Sequence, residues 1–330
     1  MKWKILSAVL LLLCFAWLAV LSGAVPVMTE AEAASAEASQ ELRSDPETQE
    51  SPPPTPTAEP EPTDTPAPAE TPDPEPTPSP VTLLSTTITG GILDNGTYYD
   101  VDPGELLAEG YSLPLSGDGY QILIIHTHAT EAYTPTAEEP YASDDAYRST
   151  EPEHSVIRVG QALADALAAY GLKVLHDTQL HDYPSYSGSY ARSGEAIEEY
   201  LAAYPTIRLV IDLHRDALGD DTVIYKTDAG IDGVDAAQLM FVMGTDVNLE
   251  HPDWRENLKL ALTLQETVSE RWPNLMRPID LCGYRYNQQL TPGSLLLEAG
   301  TSGNTLEEAI TAVELFAEAV GPLLASWLTF

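Results

Sequence analysis

From about residue 120 to the end of the chain, short apolar runs alternate with amphipathic segments. The apolar runs are QILIIH (121–126), LKVLHD (172–177), IRLVIDLH (207–214), TVIYKT (222–227), AQLMFVMG (237–244) and SLLLEAG (294–300). The segments with helical periodicity are Glu153–Tyr170, Ser193–Tyr204, Asp253–Trp272 and Thr305 to about Leu328. Continuous apolar runs are typical of strands buried on both faces. The pattern predicts an α/β domain over residues 120–330, with a largely parallel or mixed sheet flanked by helices.

The first 28 residues have a different pattern. Lys2 and Lys4 precede an uncharged apolar run over residues 5–27. A membrane-spanning helix needs about 20 such residues, and its positive end normally stays in the cytoplasm. We therefore expect a transmembrane anchor with the rest of the chain outside the cytoplasm. The small residues at 22–24 (Ser-Gly-Ala) leave a cleaved signal peptide as the alternative.

Residues 29–82 are rich in proline and glutamate, and 13 of the 27 prolines lie between residues 51 and 80. Such a composition has too few apolar side chains to offset the entropy lost on ordering, so it predicts a disordered linker. A spacer between membrane and domain is the plainer interpretation, and a polyproline ligand for a partner is the alternative. Residues 83–119 form a pre-domain segment.

Charge and cysteine content exclude several classes of protein. The chain has 51 acidic and 15 basic residues, a formal net charge of −36. Nucleic acid is therefore not an expected partner, since binding phosphates requires clustered Lys and Arg. Cys14 and Cys282 are the only cysteines, so neither a disulfide framework nor a thiolate zinc cluster can form.

Potential metal ligands stand where predicted strands end. His126 and His128 close the first apolar run, His214 closes another, and Glu298 closes a third. In open α/β sheets the carboxyl ends of the strands line the ligand crevice. A catalytic zinc site typically has three His or carboxylate ligands and an open position for water. His128, Glu131 and His214 would supply these ligands, with His126 as the alternative to His128.

The other candidates have ordinary structural explanations. We assign four further histidines to structural or surface positions: His154, His176, His181 and His251. Glu298 differs from them, because an unpaired buried carboxylate is strongly unfavourable and so favours a functional role.

Seven segments, in chain order, resemble the stage II sporulation protein P family. They are HTHATEAY, RVGQAL, HDYPSYSGSYARS, VIDLHRDA, AQLMFVMGTD, HPDWRENL and RYNQQLTPGSLLLEAGTSGNTLEEA. The resemblance spans roughly residues 120 to 325. It implies a membrane-anchored peptidoglycan hydrolase that thins the septal wall during engulfment. It also implies a catalytic domain similar to zinc-dependent N-acetylmuramoyl-L-alanine amidases, and stage II sporulation proteins D and M as partners.

The resemblance also implies roles for individual residues. His128 and His214 match the two zinc-binding histidines, and Glu298 matches the catalytic glutamate that precedes an Asn. The wider amidase pattern would place the acidic ligand just before the first helix, at Glu151 or Glu153. The sporulation-type motif HTHATEAY instead favours Glu131, which we prefer.

The expected reaction is zinc-assisted hydrolysis, with Glu298 taking the proton of the attacking water. Arg215 is expected either to orient a substrate carboxylate or to form a structural ion pair. The family is also associated with endopeptidase cleavage of cross-linked stem peptides. A zinc carboxypeptidase acting on stem peptides and a tethered, non-catalytic wall-binding module are the alternatives.

Overall fold

The structure, a computed structural model, describes residues 81–141, 147–220 and 222–330. The predicted anchor (1–28) and the predicted linker (29–82), apart from its last two residues, lie outside the described residues. The strands are β1 (Thr82–Thr86), β2 (Leu93–Asn95), β3 (Leu115–Ser116), β4 (Ile122–Ile125), β5 (Val174–His176), β6 (Leu209–Asp216), β7 (Val223–Thr227), β8 (Leu239–Gly244), β9 (Ile279–Cys282), β10 (Ser294–Thr301) and β11 (Leu328–Thr329). The α-helices are α1 (Pro103–Glu109), α2 (Val156–Ala168), α3 (Ser189–Ala203), α4 (Trp254–Arg271) and α5 (Leu306–Ser326), and short 3-10 helices cover Pro152–His154 and Gln288–Leu290.

Seven strands form the central sheet, in the order β2-β9-β8-β10-β6-β4-β5. Strands β10, β6, β4 and β5 are parallel to one another, and so are β2, β9 and β8. The two groups meet at the antiparallel pair β8–β10. The sheet is therefore mixed, and the prediction of an α/β fold with a largely parallel or mixed sheet is confirmed. Strand β7 was predicted but pairs with β1 in a separate two-stranded sheet, and β9 was not predicted.

The two faces of the sheet are covered differently. Alternate residues of β6 (Leu209, Ile211 and Leu213) belong to the large apolar core, together with residues of α2, α4 and α5. Val210, on the opposite face, belongs to a smaller cluster with Ile197 of α3. Side chains two residues apart on a strand share a face. Asp212 and His214 therefore lie on the α3 side of the sheet.

Helix α5 is the one helix in the described parts of the chain that is long and apolar enough to cross a membrane. Its apolar character has a use in packing, because Val313, Phe316 and Val320 are buried in the large core. The helix begins with a capping box, in which Thr305 Oγ1 accepts from the Glu308 N–H (3.2 Å) and Glu308 Oε2 accepts from the Thr305 N–H (3.1 Å). These two hydrogen bonds thus fix the backbone at the start of α5, directly after β10.

The segment 83–119, set apart above as a pre-domain segment, packs on the same core. Strand β2 extends the central sheet beside β9, and β3 pairs with β11 near the end of the chain. Leu106 of α1 is buried in the large core, and Glu109 lies 3.3 Å from Lys259 of α4. Residues of this segment therefore share the core and the sheet of the predicted domain, and the boundary at residue 120 stays a prediction.

We expect Thr305→Ala to lower the free energy of unfolding of a fragment 81–330 by about 1 kcal/mol, the usual cost of losing a side-chain N-cap. Thr311→Ala, the same change inside α5, should be neutral or slightly stabilising, because Ala has the higher helix propensity and Thr311 Oγ1 bonds only back to the Glu307 carbonyl (2.9 Å). Urea unfolding of both variants measures the difference. Equal effects at the two positions would contradict the capping role.

Candidate functional site

The pairing of β6 with β10 brings two predicted site residues together. In the parallel register His214 lies opposite Glu298, and Asp212 lies opposite Leu296. Paired residues of neighbouring strands project to the same face of a sheet. Asp212, His214 and Glu298 therefore form one polar patch on the side that α3 partly covers.

The chain leaving β4 adds two more of the predicted residues. After Ile125 it turns, and Thr127 donates to Asp212 through both its N–H (2.8 Å, to Oδ1) and its hydroxyl (2.6 Å, to Oδ2). A tight turn follows, in which the Glu131 N–H donates to the His128 carbonyl (3.0 Å). Glu131 Oε2 then lies 3.4 Å from His214 Nδ1. The ring centroids of His128 and His214 lie 5.3 Å apart, and the two ring planes are nearly perpendicular. The structure thus brings together His128, Glu131 and His214.

Strong electrostatic interactions connect the buried groups of this cluster. His128, Glu131 and His214 are 7%, 6% and 3% exposed. Burial alone would lower the pKa of His214, but the charges of Asp212 and Glu131 outweigh it and raise that pKa well above its ordinary value. For Glu131 the effects are reversed. Burial alone would raise the pKa of Glu131, but the hydrogen bond and the charge of His214 hold that pKa below its ordinary range. A positive charge between these two carboxylates is therefore strongly favoured.

Glu298 lies beside this cluster, and its pKa is raised whereas that of Glu131 is lowered. Its Oε2 is buried and has no hydrogen-bond partner within the described residues. Burial, and secondarily the charge of Asp216, raises the pKa of Glu298 to about 8. A carboxyl group with a pKa near neutrality is suited to proton transfer.

His126 faces away from the cluster. Its ring is fully buried, with Nδ1 2.8 Å from the Leu213 carbonyl oxygen and Nε2 2.9 Å from His176 Nε2. Gly160 of α2 leaves room for this pair of rings. The structure therefore does not bring His126 to His214.

The alternative acidic ligands and the other histidines also lie apart from the cluster. Glu151 and Glu153 are exposed, and Glu151 contacts His154 at 3.4 Å. His181 lies 2.8 Å from Asp177, and His251 lies 3.1 Å from Asn257. The assignment of these histidines to structural or surface positions stays a prediction.

Arg215 is buried directly after His214. Its Nε donates to the Ala132 carbonyl (3.0 Å) and its Nη2 to the Tyr147 carbonyl (3.2 Å), while its backbone N–H donates to Glu131 Oε2 (3.2 Å). These contacts hold the backbone around Glu131. They support a structural role, and a role in binding a substrate carboxylate stays a prediction.

Sequence reasoning missed the side chains that surround His128. Tyr186 Oη lies 3.1 Å from His128 Nε2, and Arg148 lies against the ring of Tyr186. Asp182 receives hydrogen bonds from Thr130 and Arg148. Asp182 and Tyr186 lie within the segment HDYPSYSGSYARS, where a concentration of His, Asp and Tyr beside Ser and Gly was the one available signal.

The types of side chain in the cluster, though not their present arrangement, are those that bind zinc. Two imidazoles and one carboxylate are ligands that zinc accepts, and the two carboxylates beside His214 favour added positive charge. Within residues 81–141, 147–220 and 222–330, no group of three or more His, Cys, Asp or Glu side chains is arranged to hold a metal ion. The side chains instead contact one another directly, as His214 does with Glu131, and His128 does with Tyr186.

Comparison with known proteins gives the following similarities. The model of the family "Stage II sporulation protein P (SpoIIP)" matches residues 20–321. Stage II sporulation protein P of Bacillus subtilis (strain 168) is 30% identical over 218 residues, which are 62% of this chain and 52% of that relative. The chain therefore spans about half the length of that relative.

Solved structures of amidases are similar over part of the chain. The CwlD amidase from Clostridioides difficile, in complex with the GerS lipoprotein, is 13% identical with a TM-score of 0.37, and the match covers 62% of this chain and 98% of that one. An N-acetylmuramoyl-L-alanine amidase from Clostridium difficile 630 is 16% identical with a TM-score of 0.38, covering 63% and 98%.

Gly160→Ala is expected to destabilise a fragment 81–330 by about 1–3 kcal/mol through overpacking, although Ala is normally favoured over Gly inside a helix by about 1 kcal/mol. A Cβ at this position would lie 2.6 Å from His126 Nε2 and 2.8 Å from His176 Nε2. Ala162→Gly in the same helix is the control for propensity. If guanidinium unfolding shows that Gly160→Ala stabilises the fragment, the ring of His126 does not pack here.

Proposed function

Because the chain belongs to the stage II sporulation protein P family, we propose that it is a peptidoglycan hydrolase of sporulation that cleaves the N-acetylmuramoyl-L-alanine amide bond with the help of zinc (Zn²⁺). The observation that carries the proposal is the convergence of His128, Glu131 and His214 beside Glu298, whose Oε2 has no hydrogen-bond partner among the residues that the structure describes. These side chains combine metal ligands with an acid–base group, which amide hydrolysis needs.

His128, Glu131 and His214 would hold the zinc. Bound zinc lowers the pKa of a coordinated water toward about 7 and polarises a carbonyl group. Asp212 would orient His214 from the other side of the ring, because its Oδ1 lies 3.0 Å from Nε2. Metal-bound histidines generally keep such an outer partner, which fixes the direction of the ring. In the structure this contact is short but lacks the alignment of a hydrogen bond.

Glu298 would act as the general base and then as the general acid. The water oxygen forms a bond to the lactyl carbonyl carbon, and Glu298 takes the proton that the water loses. The carbon–nitrogen bond then breaks, and Glu298 gives the proton to the nitrogen of L-alanine. Support comes from a carboxyl pKa of about 8, which makes both directions of transfer accessible near neutral pH.

The predicted anchor and linker suggest where this reaction takes place. Residues 1–28 would fix the chain in the membrane and residues 29–82 would act as a spacer, so that the hydrolase faces the wall or septal space. There it would thin the septal wall during engulfment, together with stage II sporulation proteins D and M, and cleavage of stem-peptide cross-links would be a second activity. The net charge of −36 makes binding to nucleic acid unfavourable.

We expect a fragment 81–330 to bind about one zinc per chain and to lose wall hydrolysis in chelator. His128→Ala and His214→Ala should each abolish zinc retention, since each removes one of three ligands. His126→Ala is the control and should retain zinc, because His126 faces Leu213 and His176. Metal analysis after gel filtration measures this. Full occupancy in either of the first two variants would remove that residue from the site.

Glu298→Gln should lower the rate of wall hydrolysis by about 10²- to 10⁴-fold, because the amide cannot accept the proton. Zinc content, melting temperature and pelleting with intact wall should stay near those of the wild type. Unchanged hydrolysis by the zinc-loaded variant would contradict the assigned role.

Mass spectrometry of the muropeptides released by the wild type then distinguishes an amidase from the two alternatives, a carboxypeptidase and a wall-binding module. An amidase frees intact stem peptides from the glycan, whereas a carboxypeptidase releases only terminal residues. A zinc-loaded wild type that pellets with wall without cleaving it would instead be a binding module.

A further inference from the structure

The face of the sheet that carries Glu298 is covered unevenly. Residues of α1, α2, α4 and α5 belong to the large core on the other face, and α3 packs over β4 and β6 on this face. Over β8 and β9, Met240 and Asp280 are partly exposed, while their neighbours along each strand are buried. Met240 lies opposite Glu298 in the antiparallel register. The sheet surface beside Glu298 is therefore accessible over β8 and β9.

Arg277 reaches this surface from the segment just before β9. Leu239 forms an isolated parallel bridge with Met276, and both side chains are buried in the large core. The next residues, Met240 and Arg277, therefore project to the opposite face, which is the site side. Arg277 Nη1 donates to Asp216 Oδ2 (2.6 Å) at the end of β6. Since β8 and β10 lie between β9 and β6, this ion pair holds the guanidinium on the site side of the sheet.

Only part of the Arg277 guanidinium is used within the described residues. Arg277 is 7% exposed, and Nη1 has Asp216 as its partner. Nε is buried without a hydrogen-bond partner among the described residues, and Nη2 likewise has none there. Nε–H and Nη2–H form a fork that can bind one acceptor group side-on. Because a buried donor without an acceptor is unfavourable, this edge of the guanidinium is suited to a ligand oxygen.

Two other arginines of the chain show what such an edge binds. In Arg215, Nε and Nη2 each donate to a backbone carbonyl oxygen, and Nε and Nη2 of Arg192 do the same. The matching edge of Arg277 is therefore complementary to a peptide carbonyl.

The charges around Arg277 also favour a neutral acceptor over an anion. Asp280 lies opposite Asp94 in the register of β9 with β2, and no described residue donates a hydrogen bond to its carboxylate. Burial and the charges of Asp94 and Asp216 raise the pKa of Asp280, although the charge of Arg277 acts to lower it. The carboxylates thus outweigh the guanidinium here, and a further carboxylate would be repelled. A peptide backbone offers instead a neutral C=O and an N–H in each residue.

We propose that Arg277 and Asp280 form a subsite for the stem peptide, in which Arg277 donates to a backbone carbonyl and Asp280 accepts a backbone N–H. The inference rests on the amidase function proposed above, and it places the peptide side of the scissile amide over β8 and β9. Neighbouring strands lie about 4.8 Å apart, so β9 is about 10 Å from β10 and Glu298. Three extended residues span about that distance. The subsite therefore binds the first three residues of the stem peptide rather than the sugar.

The test compares Arg277→Lys and Asp280→Ala with the control Arg255→Lys in the full-length chain. Lysine keeps the positive charge beside Asp216 but cannot present a side-on fork. Arg255 is exposed on α4, which packs on the other face of the sheet. Calorimetry in chelator, so that zinc-dependent hydrolysis cannot consume the ligand, measures the binding of muropeptides released by a muramidase. The same glycan fragments without stem peptides are the control ligand.

Arg277→Lys and Asp280→Ala should each weaken muropeptide binding by about 10- to 100-fold, the usual effect of losing a hydrogen bond that involves a charged group. Arg255→Lys should bind like the wild type, and no variant should change the binding of peptide-free glycan. Asp280→Ala should not lower the melting temperature, because it removes one of two like charges on paired strands.

Muropeptides with chemically amidated carboxyl groups then identify the acceptor. Arg277→Lys should weaken their binding as much as it weakens that of the unmodified muropeptides. Loss of this effect on amidated ligands would overturn the proposal, because Arg277 would then bind a carboxylate. Wild-type affinity of Arg277→Lys for unmodified muropeptides would overturn it as well. A wild type that binds muropeptides through Arg277 and Asp280 but hydrolyses no wall would support the subsite while the proposed function fails.

Discussion

The parallel pairing of β6 with β10 is the constraint on which the rest of the site depends. In its register His214 lies opposite Glu298, and both project to the side of the sheet that α3 partly covers. Side chains alternate along a strand, so a slip of one residue would send these polar groups to the other face. They would then replace the buried Leu213 and Leu297 in the large core, where an unpaired charge is strongly unfavourable. The apolar residues of the two strands thus fix the positions of the polar ones.

Charge balance is the next constraint, because ionisable groups are buried around His214. Its imidazole lies 3.0 Å from Asp212 and 3.4 Å from Glu131. Breaking a buried ion pair by removing one partner typically costs several kcal/mol, so two buried carboxylates need a positive partner, either a protonated imidazole or a bound cation. Asp212 also accepts two hydrogen bonds from Thr127. The carboxylate that balances His214 therefore also holds the turn that carries His128 and Glu131, and this links charge to geometry.

Much of the sheet is predictable from sequence because its central strands are uninterrupted apolar runs, and polar residues that close such runs identify His214 and Glu298. Strands β2 (LDN) and β9 (IDLC) each contain an aspartate, so neither forms an uninterrupted apolar run, and their pairing is a long-range contact. His126 and His128 could not be separated, because residues two apart share a face of a strand. The turn after Ile125 separates them, and it depends on Asp212. Tyr186 reaches His128 from 58 residues away, a distance in sequence that no local pattern spans.

A crystal structure of zinc-saturated fragment 81–330, with anomalous diffraction measured at the zinc edge, tests the central claim most directly. The account predicts one strong anomalous peak within about 2.0–2.2 Å of donor atoms of His128, Glu131 and His214, the usual zinc–ligand distances. Glu298 should lie beside this peak without binding it. A peak bound by His126, or by an acidic residue other than Glu131, would contradict the account, as would the absence of zinc at His214.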